Sequence, residues 1–498
     1  MIATTAWRLR VIADPANLLV AEEAHYWEWS RRLDWGYFSK PPMIAWLIRL
    51  CTELGGSTAF SVRAGAVVIS VGLAALTWPF ARALGLTPRA AFLSLLAFSV
   101  APLFAAGSVT MTTDTPLMLF WAAALWCVWM ATEGGNRWLW PAAGVFFGLG
   151  MLSKYTMAFL IPSVAIYLAL SPAHRHWLRR PHPYLAATAG LVLMSPVLWW
   201  NWSHDWVSFR HVASDAGVDR GWQIVPREFV EFLGSQLGVI SPVLFALLLT
   251  VAVRVLWRRR LVPLTETERF LLCMTLPVFL GYSAKALQDK VQGNWTALCY
   301  YPWVLLAVGH FDAWARAREA AGRPWLPRVL AATALAPAFV ITWFLMEPMS
   351  FGGVTMRFQP AVRHGDWRAL ARAVDRARAN MPRPEQTFIV AREYQTAALL
   401  AFYMDGQPQV FLAPDAKRRM SQYDFWPSYE ALGGWDALYV RRGNPKPGAP
   451  LVADHFTTCA SGLLVDIALP GTKKRPYSIY PCFGFDPTRF VRIIPSRH

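Results

Sequence analysis

The chain has 498 residues, of which 55% are hydrophobic, 14% aromatic and 16% charged. So apolar a composition excludes a disordered chain, and so little charge argues against an ordinary soluble globule; a polytopic α-helical membrane protein is the first expectation. The formal net charge of +17 does not mark a nucleic-acid partner, because the basic residues sit in short loops between apolar runs, which is a membrane-topology pattern.

Residues 1–20 contain Arg8, Arg10, Asp14 and Pro15 and lack the apolar core of a secretory signal peptide. The stretch 22–42 opens with Glu22 and Glu23 and interleaves aromatics with Arg31, Arg32 and Lys40. Glu22, His25, Tyr26, Trp29 and Leu33 recur at helical spacing, which predicts a short amphipathic helix at the membrane–water interface. Asp34, Trp35 and Gly36 end it, and Pro41-Pro42 force an extended exit.

Apolar runs follow near 64–81, 90–107, 115–132, 138–153, 155–173, 183–200, 236–253, 270–284, 293–309 and 329–346. They predict about ten spans beginning near residue 64, several under the ~20 residues of an average crossing and therefore tilted. Lys154 falls between two of these runs, and a turn there avoids a lysine at mid-bilayer.

One set of loops carries fourteen arginines, among them Arg82, Arg137, Arg180, Arg254, Arg260 and Arg318. The opposite set carries Arg210, Arg220, Arg227, Lys285 and Lys290, five in all, so the first set is expected in the cytoplasm. The first outer loop, 22–63, then lies outside, with Asp114, Lys154, the 201–235 loop and everything after about residue 347.

The chain divides on this reading into a membrane domain, 1–346, and a C-terminal domain, 347–498. In the latter, GDWRALARAVDRARANM predicts an amphipathic helix, and QTFIVAR, PQVFLA, DALYVRR and GLLVDIAL predict short strands. The expectation is a small extracytoplasmic α/β domain. Cys51, Cys127, Cys273 and Cys299 lie in or beside apolar segments and have no metal-ligand spacing. Cys459 and Cys482 are the cysteines of the outer domain, where oxidation lets them pair.

Several polar residues have both a bland and a chemical reading. Asp114, before Thr-Pro, is either a helix cap or an acid of the site. Lys40 and Lys154 either snorkel to the headgroups or hold a phosphate. The loop PVLWWNWSHDWVSFRHV gathers Asn201, His204, Asp205, Arg210 and His211, and the two histidines match no standard metal spacing. LQDKVQGNWTALCYYPW places Lys285, Lys290, Asn294 and Tyr300 on the same side.

EEAHYWEWSRRLDWGYFSKPPMIAW, TTDTPLMLFW, GLGMLSKYTM, WNWSHDWVSF and NWTALCYYPW occur in this order. Over about residues 18–310 the chain resembles bacterial glycosyltransferase family 39, membrane enzymes similar to protein O-mannosyltransferases and to the aminoarabinose transferase of lipid A. The resemblance implies a GT-C fold in the bacterial inner membrane, with the C-terminal domain periplasmic. It implies an inverting transfer from a polyprenyl-phosphate sugar to a hydroxyl of a lipid, lipopolysaccharide or protein.

An acceptor hydroxyl needs a carboxylate base, and a lipid-phosphate leaving group needs fixed cations. Residue by residue, the resemblance puts the leading acid on Glu22, its neighbour on Glu23 and a second acid, orienting acceptor or base, on Asp114. The donor phosphate falls to Lys40, Lys154 and Tyr37. His25, Tyr26, His204, Asp205, Asn294 and Tyr300 are further candidates for acceptor or donor contacts. Ser39 stands where the lipid A transferase has an acid linked to a metal, so no metal or other cofactor is carried over. The family places one span before the acidic pair; here about twenty residues precede it, roughly the length of a crossing but holding Arg8, Arg10, Asp14 and Pro15, which a span does not accommodate. An upstream start, or poor insertion, is the expectation.

Two rival readings are a lipid or solute transporter of the inner membrane and a non-catalytic receptor. A transporter is expected to show related halves and charges near mid-membrane; here the charges gather at one face. A receptor leaves the outer acids and lysines without a role.

Overall fold

The computed structural model describes residues 2–217, 223–259, 261–346, 350–351, 354–355, 366–445, 450–468 and 474–493; Arg220 and Arg260 of the loop charges lie outside them. The chain forms two compact units. The first takes in Met1–Ile12, Lys40–Leu47 and Arg63–Met346, and the second Ala13–Ser39, Ile48–Val62 and Glu347–His498. The second unit is therefore more than the C-terminal segment expected from the sequence. Most of the presumed first outer loop folds into it, because that loop's aromatics need an apolar surface to cover them.

The helices in order are α1 (Ile2–Ala13), α2 (Ala21–Ser30), α3 (Met43–Gly55), α4 (Ala59–Ala83), α5 (Pro88–Val100), α6 (Pro102–Gly107), α7 (Asp114–Thr132) and α8 (Leu139–Ser153). A 3-10 turn, Tyr155–Phe159, leads into α9 (Leu160–Leu170), α10 (Pro181–Leu193), α11 (Ser195–Ser203) and α12 (Val207–Ala216). The first unit closes with α13 (Pro226–Ile240), α14 (Pro242–Arg258), α15 (Glu266–Ala286), α16 (Ala297–Ala320) and α17 (Trp325–Met346).

By length and composition, three helices among the described residues can cross a membrane unaided: α4, α7 and α17. Two bent pairs qualify when each is taken together, α10 with α11 at 48° and α13 with α14 at 109°. The expected spans are thus more broken than the apolar runs suggested. Pro102, Pro196 and Pro242 each sit in the first turn of a helix, where the missing N–H does no harm but the preceding helix cannot continue. α15 and α16, at 21 and 24 residues, are long enough but carry charged ends. α1, at 12 residues, is shorter than a crossing; Trp7 stacks on Trp343 of α17 at 6.0 Å.

α8 and α10 approach closely through small residues. A Cβ on Gly144 would run into the carbonyl of Ala186, and one on Gly190 into the ring of Phe147. Such small faces let helix backbones pack in a membrane, where no hydrophobic force pulls helices together.

In the second unit, α18 (Trp367–Ala379) and α19 (Tyr394–Tyr403) flank a six-stranded sheet. Its strands are β1 (Thr387–Ala391), β2 (Val410–Leu412), β3 (Asp436–Arg442), β4 (Phe456–Cys459), β5 (Leu463–Ala468) and β6 (Lys474–Phe485). Their order is β2-β1-β3-β6-β4, with β5 also on β6. β1 is parallel to both β2 and β3, and β6 runs antiparallel to β3, β4 and β5. All five residues of β1 are buried, as a central parallel strand requires. β6 escaped the sequence reading because Pro476 and Pro481 interrupt it; a long strand rarely holds two prolines.

The register sets Cys459 opposite Cys482, with Cα atoms 4.0 Å apart, and the two sulfurs are bonded. Thiol labelling of the denatured, unreduced protein is expected to leave both cysteines unmodified and to label Cys51, Cys127, Cys273 and Cys299. Modification of Cys459 and Cys482 would show that the bond does not form.

Candidate active site

In the first unit, the site is built around Asp114. This residue opens α7, yet its carboxylate does not cap that helix. One oxygen lies 2.6 Å from the Lys154 ammonium, and the other accepts from the Asn294 amide at 3.0 Å. Lys154 reaches it because α8 ends there: its backbone is extended and the 3-10 turn follows. The turn expected between the two apolar runs is present, and its lysine points to an acid rather than to solvent. The two side chains are 11% and 19% exposed, so the pair is screened much less than a surface salt bridge.

Asn294 belongs to a 3-10 turn, Gly293–Thr296, ahead of α16. Thr296 Oγ1 donates to Gln236 Oε1 of α13 at 2.9 Å, and the Tyr300 hydroxyl donates to the same oxygen at 2.7 Å. Tyr300 is fully buried. It therefore holds the Asn294 turn in place from behind instead of lining the site. Gln236 had no mark in the sequence, since one amide in an apolar helix looks like any other. A small cavity of about 50 Å³ opens beside Asp114, with apolar walls from Leu73, Phe104 and Met118 and a polar edge from Ser108 and Thr115.

The loop after α11 is a tight turn. Asp205 and Trp206 both adopt left-handed backbone, at φ 53° and 58°. Asn201 holds it, its carbonyl accepting from Trp206 N at 2.6 Å and its side-chain oxygen from Ser208 N at 3.1 Å. His204 stacks on Trp200 at 4.1 Å, and its Nδ1 lies 2.9 Å from the Trp200 carbonyl. Asp205 is exposed. Lys40 is half-buried and immediately precedes the double proline that leads into α3.

The second unit holds the remaining candidates. α2 is not the two-faced interfacial helix that the sequence suggested. Nine of its ten residues are buried, and Glu22 is the exception. The helix packs on α19, with Trp27 edge-on to Phe402 at 4.9 Å. Glu23 is fully buried, and its carboxylate accepts from Val20 N at 3.1 Å, which satisfies a free donor at the helix start. The two adjacent acids thus differ: Glu22 is open to solvent and Glu23 serves the helix end.

His25 lies among Trp29, Tyr394 and Tyr423, with ring centroids at 5.1, 4.7 and 5.6 Å. Burial holds its imidazole down to about 3, so it is neutral near pH 7 and offers no charge to a phosphate. Its Nε2 accepts from Trp29 Nε1 at 3.2 Å. Tyr26 packs edge-on against Trp29 at 5.1 Å. Tyr37, expected at the donor phosphate, is fully buried and closes the turn after α2 instead. Its hydroxyl donates toward the carbonyls of Trp29 and Arg32, at 3.1 and 3.2 Å, and accepts from Asp34 N. Sequence reasoning also passed over Glu28, which is buried, bonds Arg31 at 2.8 Å and has its carboxyl held above the usual range by burial.

Among the described residues, Glu133, His174 and Glu266 bring possible metal-donor atoms within 4.8 Å of one another. His174 Nε2 lies 2.6 Å from Glu133, and Glu266 accepts from Ser171 at 2.7 Å, so hydrogen bonds account for the arrangement. Glu133 follows the C-terminal end of α7, about 28 Å along that helix from Asp114 at 1.5 Å per residue.

Three comparisons bear on this geometry. The sequence profile of the dolichyl-phosphate-mannose-protein mannosyltransferase family matches residues 39–200. The lipid A galacturonosyltransferase RgtD of Rhizobium johnstonii is 32% identical over 314 residues, 62% of this chain and 64% of that protein. The undecaprenyl phosphate-alpha-4-amino-4-deoxy-L-arabinose arabinosyl transferase of Pseudomonas paraeruginosa is 30% identical over 172 residues, 34% of this chain and 30% of that one. The match thus spans less than two thirds of either relative. The crystal structure of ArnT from Cupriavidus metallidurans bound to undecaprenyl phosphate has a TM-score of 0.62 and 15% identity, and covers 96% of this chain and 97% of that one. That last likeness is one of fold: a polytopic helical membrane protein with a small C-terminal strand region. The chain thus resembles these membrane glycosyltransferases in sequence over part of its length, and shares the fold of ArnT over nearly all of it.

Removing one partner of the central pair leaves the other charge poorly compensated. Asp114→Asn or Lys154→Met alone is expected to lower stability by on the order of 1–3 kcal/mol, below the figure for a fully buried pair because both side chains keep some solvent contact. The double variant D114N/K154M should recover most of that loss in thermal melts of the purified protein. Additive losses would mean that the two side chains do not depend on each other.

Proposed function

We propose that the chain is an inverting glycosyltransferase that moves a sugar from a polyprenyl phosphate to a hydroxyl of lipid A or a related lipid. The observation that carries this reading is the Asp114–Lys154–Asn294 cluster: a fixed cation and an acid held together at the end of helices in a GT-C fold. The relatives named for lipid A and undecaprenyl phosphate support the donor and acceptor classes over a protein acceptor. On this reading the transfer runs at the periplasmic face of the inner membrane. The loop charges and the Cys459–Cys482 bond, which needs an oxidising compartment, favour that side.

In the proposed step, the acceptor oxygen attacks the anomeric carbon as the bond from that carbon to the phosphate oxygen breaks. The acceptor proton passes to a carboxylate, and the phosphate leaves with an added negative charge. Lys154 is the cation that meets this charge, with Lys40 as a second. Asp114 holds the Lys154 ammonium in place until phosphate shares it, and Asn294 fixes the carboxylate. Glu22 is the proposed base, because it is the exposed member of the acidic pair, while Glu23 is buried at the helix start. Tyr37 has no part in phosphate binding on this account.

The test incubates purified full-length protein with a panel of undecaprenyl-phosphate sugars and a membrane lipid extract, following each donor by mass spectrometry. The wild type is expected to consume one donor, and Glu22→Gln to turn it over about 10²–10⁴-fold more slowly, the usual worth of a general base. No donor consumed would remove the proposed activity. Normal turnover by Glu22→Gln, with loss in Glu23→Gln, would move the base by one residue.

A further inference from the structure

α5, α14, α16 and α17 enclose a second cavity in the first unit, of about 580 Å³. That volume falls within the range of sites for ligands of some tens of atoms. Its walls are apolar and include Leu93, Leu244, Leu248, Val251, Val304 and Leu335. Its charged lining consists of Arg254 and Arg318, and no carboxylate lines it.

These two arginines differ from their neighbours. Arg258 pairs with Glu268, Arg316 with Asp312 and Arg89 with Glu319. His310, also on the cavity, lies 3.1 Å from Glu268. Arg254 and Arg318 have no acidic partner among the described residues. The Arg318 guanidinium instead lies 5.8 Å from the centre of the Trp314 ring, which lines the same cavity. Unpaired guanidiniums at the end of a leucine-lined groove fit one kind of ligand, an anionic headgroup on an apolar tail.

The groove is separate from the Asp114 site. Arg318 stands near the far end of α16, about 30 Å along the helix from the Asn294 turn at 1.5 Å per residue. It lies on the side where the loop arginines collect, and the bilayer leaflet on that side is rich in anionic lipid.

We propose that this groove holds one anionic glycerophospholipid of the bilayer, its phosphate between Arg254 and Arg318 and its acyl chains along the leucine wall. Trp314 lies at the level of the headgroup. The bound lipid fills the space between α14, α16 and α17 and so belongs to the packing of the helices.

The test uses delipidated full-length protein in detergent, mixed with phosphatidylglycerol or phosphatidylcholine and read by native mass spectrometry. One phosphatidylglycerol per chain is expected, retained about tenfold or more over phosphatidylcholine, as two arginine contacts imply. R254Q/R318Q should drop phosphatidylglycerol to the phosphatidylcholine level. Ala331→Trp, which narrows the groove and keeps both charges, should lose it too. Equal retention of the two lipids, or unchanged phosphatidylglycerol in either variant, would overturn the proposal. Displacement of phosphatidylglycerol by equimolar undecaprenyl phosphate would also overturn it, by making the donor carrier the occupant.

Discussion

Asp114 sits where a charged side chain is costly, and the first unit is arranged so that both of its oxygens are satisfied by other segments. A carboxylate in apolar surroundings either finds a cation and a donor or takes up a proton. Here the cation comes from the end of α8 and the donor from the turn before α16. The break at Lys154 and the 3-10 turn at Asn294 are the local irregularities that this pairing needs. A continuous helix through residue 154 would carry the ammonium to a different height. Behind the turn, Gln236 receives both Thr296 and Tyr300, so the position of Asn294 depends in turn on α13. A buried ion pair adds little net stability compared with apolar packing, and its retention in a membrane domain is better explained by chemistry than by strength.

The second unit meets its own requirement by a different route. The aromatic segment around α2 is covered by α19 and by the residues near Tyr423, and its charges are matched within the unit. Arg31 bonds Glu28 and the Gln407 carbonyl, and Arg32 lies 4.4 Å from the centre of the Trp426 ring. Phe38 N donates to Gln422 at 2.7 Å, and Leu19 N to the Tyr403 hydroxyl at 2.6 Å. The C-terminal segment is therefore what keeps the 13–39 stretch in one conformation, with Glu22 left open at the helix start.

Much of this was legible in the order of short motifs. Asp114 and Lys154 were found because an acid or a lysine among apolar runs is rare enough to notice. The apolar runs located most helices of the first unit, but not their breaks: a proline at the first turn reads equally well as a start or as a bend. From its sequence α2 looks interfacial, because alternating aromatics and charges look alike whether the charges meet headgroups or reach over to partners in the same unit. Tyr37 fell to the donor phosphate by position in a motif, while the bonds of its hydroxyl to nearby carbonyls depend on a turn that no spacing rule describes. Gln236 left no trace, since its partners lie 60 and 64 residues away.

The central claim is that Lys154 is the cation for the donor phosphate and that Asp114 holds it ready. The most direct measurement is the affinity of the purified full-length protein for undecaprenyl phosphate, compared across wild type, Lys154→Gln and Asp114→Asn. The account predicts that Lys154→Gln weakens binding by on the order of tenfold or more, the loss of one charge-assisted contact, while Asp114→Asn, which keeps the ammonium but no longer holds it in place, weakens binding clearly less. Wild-type affinity in Lys154→Gln, or equal weakening in both variants, would show that the pair is a structural clasp and nothing more.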